Sequence, residues 1–261
     1  MKLYQVDSFT DTAFRGNPAA VCIVDEFKDE PWLQAVAAEM NLSETAFVRR
    51  DGDEFQLRWF TPCEEVTLCG HATLAAAFVL FHSGIVSTDQ DISFQTLSGP
   101  LKARWEQGMI TLDFPVDRPQ PAQAPPVLLE ALGAEPLFVG TTRVEYLMEL
   151  ESETAVRQLE PKMDQLAVIS RRGIIATARS DDPDYDFVSR FFAPAIGIPE
   201  DPVTGSAHCA LAPYWQSKLN KTTFRAYQAS QRGGSLNVEL VGERVYLSGH
   251  AVLVFSAQLH V

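Results

Sequence analysis

Between residues 66 and 88 the chain carries no Asp, Glu, Lys or Arg, and residues 74–81 form an unbroken apolar run. A run this short does not span a bilayer, which takes ~20 residues, so no membrane partner is expected. An apolar segment with no polar face predicts a helix enclosed by protein, over Gly70–His82. Gly205–Leu219 has the same character, and Pro213 inside it predicts a kink or an early break. Before the two helices, residues 55–60 and 186–192 read as strands. After them, residues 92–114 and 223–257 alternate apolar and polar as half-buried hairpins do. Nearer the start, residues 31–40 read as a helix and residues 45–48 as a strand.

The two halves also answer each other. Arg58-Trp59-Phe60-Thr61-Pro62 is matched by Arg190-Phe191-Phe192-Ala193-Pro194, 132 residues on, and Cys69-Gly70-His71-Ala72 by Thr204-Gly205-Ser206-Ala207, 135 residues on. The second spacing persists: Leu101, Ala103, Trp105, Ile110 and Leu112 fall on Leu236, Val238, Leu240, Val245 and Leu247. A sustained register over two β-rich halves predicts an internal repeat. The expected fold is therefore α+β, with two pseudo-symmetric lobes, each a curled mixed or antiparallel sheet wrapped around a central buried helix. The lobes are expected over residues 1–118 and 119–261, with the active-site cleft between them and the last strands able to cross from one to the other. The join falls in the proline-rich stretch 115–126, which is not expected to continue a sheet.

Charge narrows the partners. With 34 acidic and 21 basic residues the formal charge is −13, which repels nucleic-acid phosphates and anionic lipid. The basic pairs Arg49-Arg50 and Arg171-Arg172 are too short to offset it and read as solvated surface. The opening MKLYQVDSF lacks the apolar core of a secretion signal, and four cysteines without such a signal are expected to stay reduced in a cytosol.

The chemistry concentrates at the two helix starts. A helix N-terminus offers unpaired N–H groups and partial positive charge, and glycine in its first turn lets a ligand approach the backbone. Gly70 and Gly205 stand there, fit to hold a small carboxylate without Arg or Lys. The titratable residues nearby are His71, Glu200, Asp201 and His208. A further one, Glu44, sits between a helix-like and a strand-like segment, where burial would suit it to general acid/base work; the alternative is that Ser43 and Glu44 cap a surface turn. His71 reads equally as a core histidine or a catalytic one, and Asp201-Pro202 reads most simply as a turn. Cys69-x-His71 lacks a second pair at metal-ligand spacing, so no metal is expected. Phosphate-loop, dinucleotide, serine-hydrolase and zinc-protease motifs are absent from the sequence.

Four ordered blocks, GNPAAV (residues 16–21), NLSETAF (41–47), RWFTP with CGHAT (58–73) and EDPVTGSAH (200–208), resemble the signature blocks of the PhzF-like isomerase family. The resemblance implies the diaminopimelate-epimerase fold and a cofactor-independent isomerase, a cytosolic homodimer that shifts a proton within a small carboxylate. The family's phenazine-pathway member does this on a dihydro-hydroxyanthranilate. On this chain the resemblance places the acid/base glutamate at Glu44. His71 and Asp201 then assist proton transfer, while Gly70, Gly205 and Ser206 bind substrate.

Epimerases of the same architecture use one cysteine from each lobe. Cys69 matches the first, but the repeat puts Thr204 at the second, and a hydroxyl is too weak an acid to replace a thiol. Cys209 lies one helical turn further in, where apolar neighbours are expected to keep it inert. A cysteine-based epimerase and a catalytically silent small-ligand-binding protein are the competing expectations.

Overall fold

The computed structural model describes residues 1–169 and 173–260, so Arg171 and Arg172 lie outside the described residues. The chain forms two compact units, Met1–Phe114 with Leu247–Val261, and Pro115–Tyr246.

The first unit runs β1 (Lys2–Ser8), β2 (Asn17–Val24), α1 (Glu30–Met40), β3 (Glu44–Asp51), β4 (Glu54–Phe60), β5 (Glu65–Val66), α2 (Gly70–His82), β6 (Ile92–Thr96), β7 (Gly99–Glu106) and β8 (Met109–Pro115). The second runs β9 (Gln120–Pro121), α3 (Pro126–Leu132), β10 (Phe138–Thr141), β11 (Glu145–Glu149), α4 (Glu153–Arg157), α5 (Met163–Leu166), β12 (Gly173–Arg179), β13 (Phe187–Phe192), α6 (Gly205–Leu219), β14 (Thr223–Gln228) and β15 (Gly234–Val241). From there β16 (Arg244–Gly249) and β17 (Ala251–Gln258) return the chain to the first unit, where β17 pairs antiparallel with β1.

The pairing pattern repeats. In the first unit β1–β2 is antiparallel, β2–β3 parallel, β3–β4 antiparallel, β4–β6 parallel and β6–β7 antiparallel. The second repeats this order with β10–β11, β11–β12, β12–β13, β13–β14 and β14–β15. The fold is thus the pseudo-symmetric α+β arrangement of two sheets, each with its own internal helix. Parallel neighbours need a crossover. α1 supplies it between β2 and β3, and α4 with α5 between β11 and β12, each closing an outer core.

α2 is buried from His71 through Phe81, as a helix without a polar face must be. α6 is buried over most of its length and runs on to Leu219, with no early break at Pro213. The reason is a substitute donor. Pro213 has no N–H to give to the carbonyl of Cys209 one turn earlier, and that carbonyl accepts instead from the Asp117 N–H at 3.1 Å. The proline-rich join likewise contains a strand after all. Gln120 and Pro121 pair with Thr141 and Gly140, on the sheet edge where proline is tolerated.

The repeated Arg-aromatic-Phe motif clamps the loops that lead into the buried helices. Arg58 forms a two-pronged ion pair with Glu65 at 2.7 and 2.6 Å, and Arg190 one with Glu200 at 2.7 and 2.9 Å. Each guanidinium also lies over the ring two residues on, Phe60 at 5.1 Å and Phe192 at 4.8 Å. Partly buried bidentate pairs of this kind are among the stronger polar contacts, and Glu200 is thereby committed to structure.

Candidate active site

Glu44 opens β3, pointing to the same face of the sheet as Ala46, and it is 7% exposed. It is a buried side chain, not the cap of a surface turn. His71, 3% exposed, is the second residue of α2. The two meet as a buried pair, with His71 Nε2 3.2 Å from Glu44 Oε2, and among the described residues neither atom has a hydrogen bond to any other group. On its other nitrogen, Nδ1, His71 is approached by Asn17 Nδ2 at 3.1 Å and by Cys69 Sγ at 3.5 Å. Burial by itself would lower the His71 pKa. Cys69 and Glu44 beside it reverse that and hold it well above its ordinary value. Burial, reinforced by the Glu44 charge, pushes the Cys69 thiol up.

Among the described residues Glu44, Cys69 and His71 form the one group of metal-ligating types whose donor atoms all lie within 4.8 Å of one another. The thiol approaches Nδ1 and the carboxylate approaches Nε2, two different nitrogens of one ring. That arrangement suits passage of a proton through the ring better than convergence on one ion.

The second unit carries Asp201, Gly205 and Ser206. Asp201, 8% exposed, accepts from Thr204 Oγ1 at 2.6 Å, and Gln228 ties the same loop through Asp201 O at 2.7 Å and the Thr204 N–H at 2.8 Å. Asp201 is therefore a held, buried carboxyl directly before the bend at Pro202 and Val203. Gly205 and Ser206 are the first two residues of α6, as Gly70 and His71 are of α2, and neither N-cap residue, Thr204 or Cys69, caps its helix with its side chain. The Glu44 carboxyl is not repeated. Register along β11–β12 and β2–β3 makes Gly173 the equivalent of Glu44, and a Cβ there would run into the Phe191 ring at 2.3 Å.

His208 belongs to the core. Its Nδ1 lies 2.8 Å from Thr204 O and so donates, its ring stacks on Phe187 at 6.0 Å, and burial lowers its pKa to about 4. Stability from a buried neutral histidine is present in full above the unfolded pKa of about 6.5. It is lost progressively down to about 4, where the folded form also protonates. The expected loss across that window is on the order of 3 kcal/mol. His208→Leu should flatten the fall of thermal stability between pH 6.5 and 4, measured by calorimetry in a pH series. Cys209 is buried with its thiol pushed up by burial, and all four cysteines are free thiols.

A two-lobed α+β fold with a buried carboxyl–imidazole–thiol cluster at a helix start supports a cofactor-independent small-molecule isomerisation, and comparison with known proteins agrees. A family model described as phenazine biosynthesis-like protein matches residues 6–257. An uncharacterized isomerase of Halalkalibacterium halodurans is 52% identical over 258 residues, covering 98% of this chain and 97% of that one. One from Pseudomonas aeruginosa is 48% identical, covering 100% and 99%. The crystal structure of a phenazine biosynthesis protein of the PhzF family from Enterococcus faecalis superposes with a TM-score of 0.95 at 41% identity, covering 100% of this chain and 99% of that one. The chain belongs to the phenazine-biosynthesis-like, PhzF family, and it is an enzyme of isomerase type. No helix among the described residues is long and apolar enough to cross a membrane.

Proposed function

We propose that this protein shifts a proton between two carbons of a small carboxylate substrate without a cofactor, with Glu44 as general acid/base. The observation that carries the reading is the facing pair Glu44 Oε2 and His71 Nε2. Both atoms are buried and, among the described residues, have no partner but each other, which leaves an acid and a base facing one another out of water. The Glu44 carboxylate takes a proton from one substrate carbon, and the electron pair left behind delocalises through the substrate's own unsaturated system. The same carboxyl then returns the proton at the second carbon, so charge and atoms balance. His71 and Asp201 assist or orient, while Gly70, Gly205 and Ser206 present N–H and hydroxyl donors to the substrate carboxylate. A dihydro-hydroxyanthranilate is the first compound to try. A cytosolic homodimer belongs to the same proposal and rests on the resemblance alone; sedimentation tests the stoichiometry.

A second reading makes Cys69 the proton carrier. Its support is the 3.5 Å approach of Sγ to His71 Nδ1, through which the ring could exchange the thiol proton. Against it stand the raised thiol pKa and the threonine, Thr204, at the matching place in the second unit. Proton NMR in D₂O over a panel of small carboxylates and amino acids separates the two. Cys69→Ala should keep most of the wild-type exchange, at a ring or allylic carbon. Loss of exchange in Cys69→Ala, with exchange at an amino-acid α-carbon in the wild type, would establish the cysteine reading instead.

A further inference from the structure

Ser8 and Asn17 are the directly opposed pair that ends the β1–β2 ladder, and both are fully buried. Each reaches the same residue on α2. Ser8 Oγ donates to the His71 backbone carbonyl at 2.8 Å, and the Asn17 amide lies 3.1 Å from His71 Nδ1. We propose that Ser8 and Asn17 are a two-point clamp, one holding the backbone of His71 and the other its ring, which turns Nε2 toward Glu44 and keeps Nδ1 partnered whichever protonation state the ring takes. Asn17 is thus a positioning residue. This rests on the reading of Glu44 and His71 as the proton-transfer pair.

The argument is one of donors and acceptors. A neutral imidazole has one N–H and one bare nitrogen, and which is which depends on the partner each nitrogen finds. An amide can serve Nδ1 in either state, donating through Nδ2 to the bare nitrogen or, turned over, accepting through Oδ1 from an N–H. Cys69, the other neighbour of Nδ1, is further off at 3.5 Å and its thiol is a weak donor. In this unit the titratable groups facing His71 are Glu44 from β3 and Cys69 from the residue before α2. β1 and β2 face it with the neutral Ser8 and Asn17. A neutral partner at Nδ1 lets the ring gain and lose a proton during turnover. A carboxylate there would accept from an Nδ1–H in the neutral and the protonated ring alike, pinning a proton on Nδ1 and favouring the imidazolium.

The test is the titration and tautomer of His71 read by ¹H–¹⁵N NMR on substrate-free protein, with kinetics alongside. Asn17→Asp should raise the midpoint of the His71 titration by about one pH unit or more and move the matching limb of the pH–rate profile the same way. Asn17→Ala should shift the His71 ring resonances and lower kcat by about tenfold or more with little change in KM. If either variant is poorly folded by circular dichroism, Ser8→Ala replaces it. Loss of the hydroxyl that holds the His71 carbonyl should shift the His71 ring resonances and lower kcat. His71 signals that superimpose on wild type in folded variants overturn the clamp. The NMR readout needs no turnover, so a displaced His71 titration together with an active Glu44→Gln enzyme would retain the clamp and remove Glu44 as the base.

Discussion

Glu44→Gln is expected to abolish measurable turnover, lowering kcat by a factor of ~10² to 10⁴, while the protein stays folded and binds substrate. Glutamine keeps the length and shape of the side chain, so the well-packed site at the start of β3 is not emptied. What it loses is the ability to take a proton from carbon. The change also removes a negative charge 3.2 Å from His71 Nε2. With that neighbour gone, burial is less strongly opposed, so the His71 pKa should fall. The imidazolium can then discharge rather than remain as an unpaired buried charge, which is why the fold is expected to survive. Single-turnover assays in D₂O, with ligand affinity measured in parallel, check both halves. A variant that still exchanges substrate hydrogen would transfer the chemistry to Cys69.

What the sequence made legible follows from how local each signal is. The ends of α2 and α6 could be read because a charge-free run and a glycine mark them along the chain, and the repeat across β4 and β13 because the Arg-aromatic-Phe motif recurs intact. Glu44 was visible as a carboxyl at the edge of an apolar strand. Its repeat partner was not, because Gly173 keeps none of its chemistry and different helical inserts precede the two strands. Asn17 stands in a recognisable block, but its meaning depends on contact with a residue 54 positions away, which no periodicity encodes. Glu200 and His208 sit beside the second helix start in sequence, and only three-dimensional neighbours separate them from the site: Arg190 occupies one, and Phe187 with the Thr204 carbonyl occupies the other. The survival of α6 past Pro213 likewise depends on a distant donor, the Asp117 N–H.

Gly16→Ala should lower stability by roughly 2 to 4 kcal/mol and, at this chain length, Tm by roughly 5 to 15 °C. Gly16 has φ +63°, a left-handed conformation that costs a side chain ~1 kcal/mol, and a Cβ there would stand 2.2 Å from the Ser8 carbonyl oxygen and 2.8 Å from Thr10 Cγ2. The Ser8 oxygen is backbone and cannot swing aside. Relief has to come from moving the end of β1 against β2, which displaces Ser8 and Asn17, the two residues that grip His71. Activity should therefore fall further than the loss of folded protein explains, when kcat is measured well below Tm. Gly52→Ala supplies the comparison. Gly52 has nearly the same φ, +65°, but nothing lies within 4 Å of a Cβ there, so its substitution carries the conformational cost alone, about 1 kcal/mol. The difference between the two variants is then the cost of the clash. Equal destabilisation would mean that the β1–β2 end yields freely, and a pair of strands that yields freely could not hold His71 in register with Glu44.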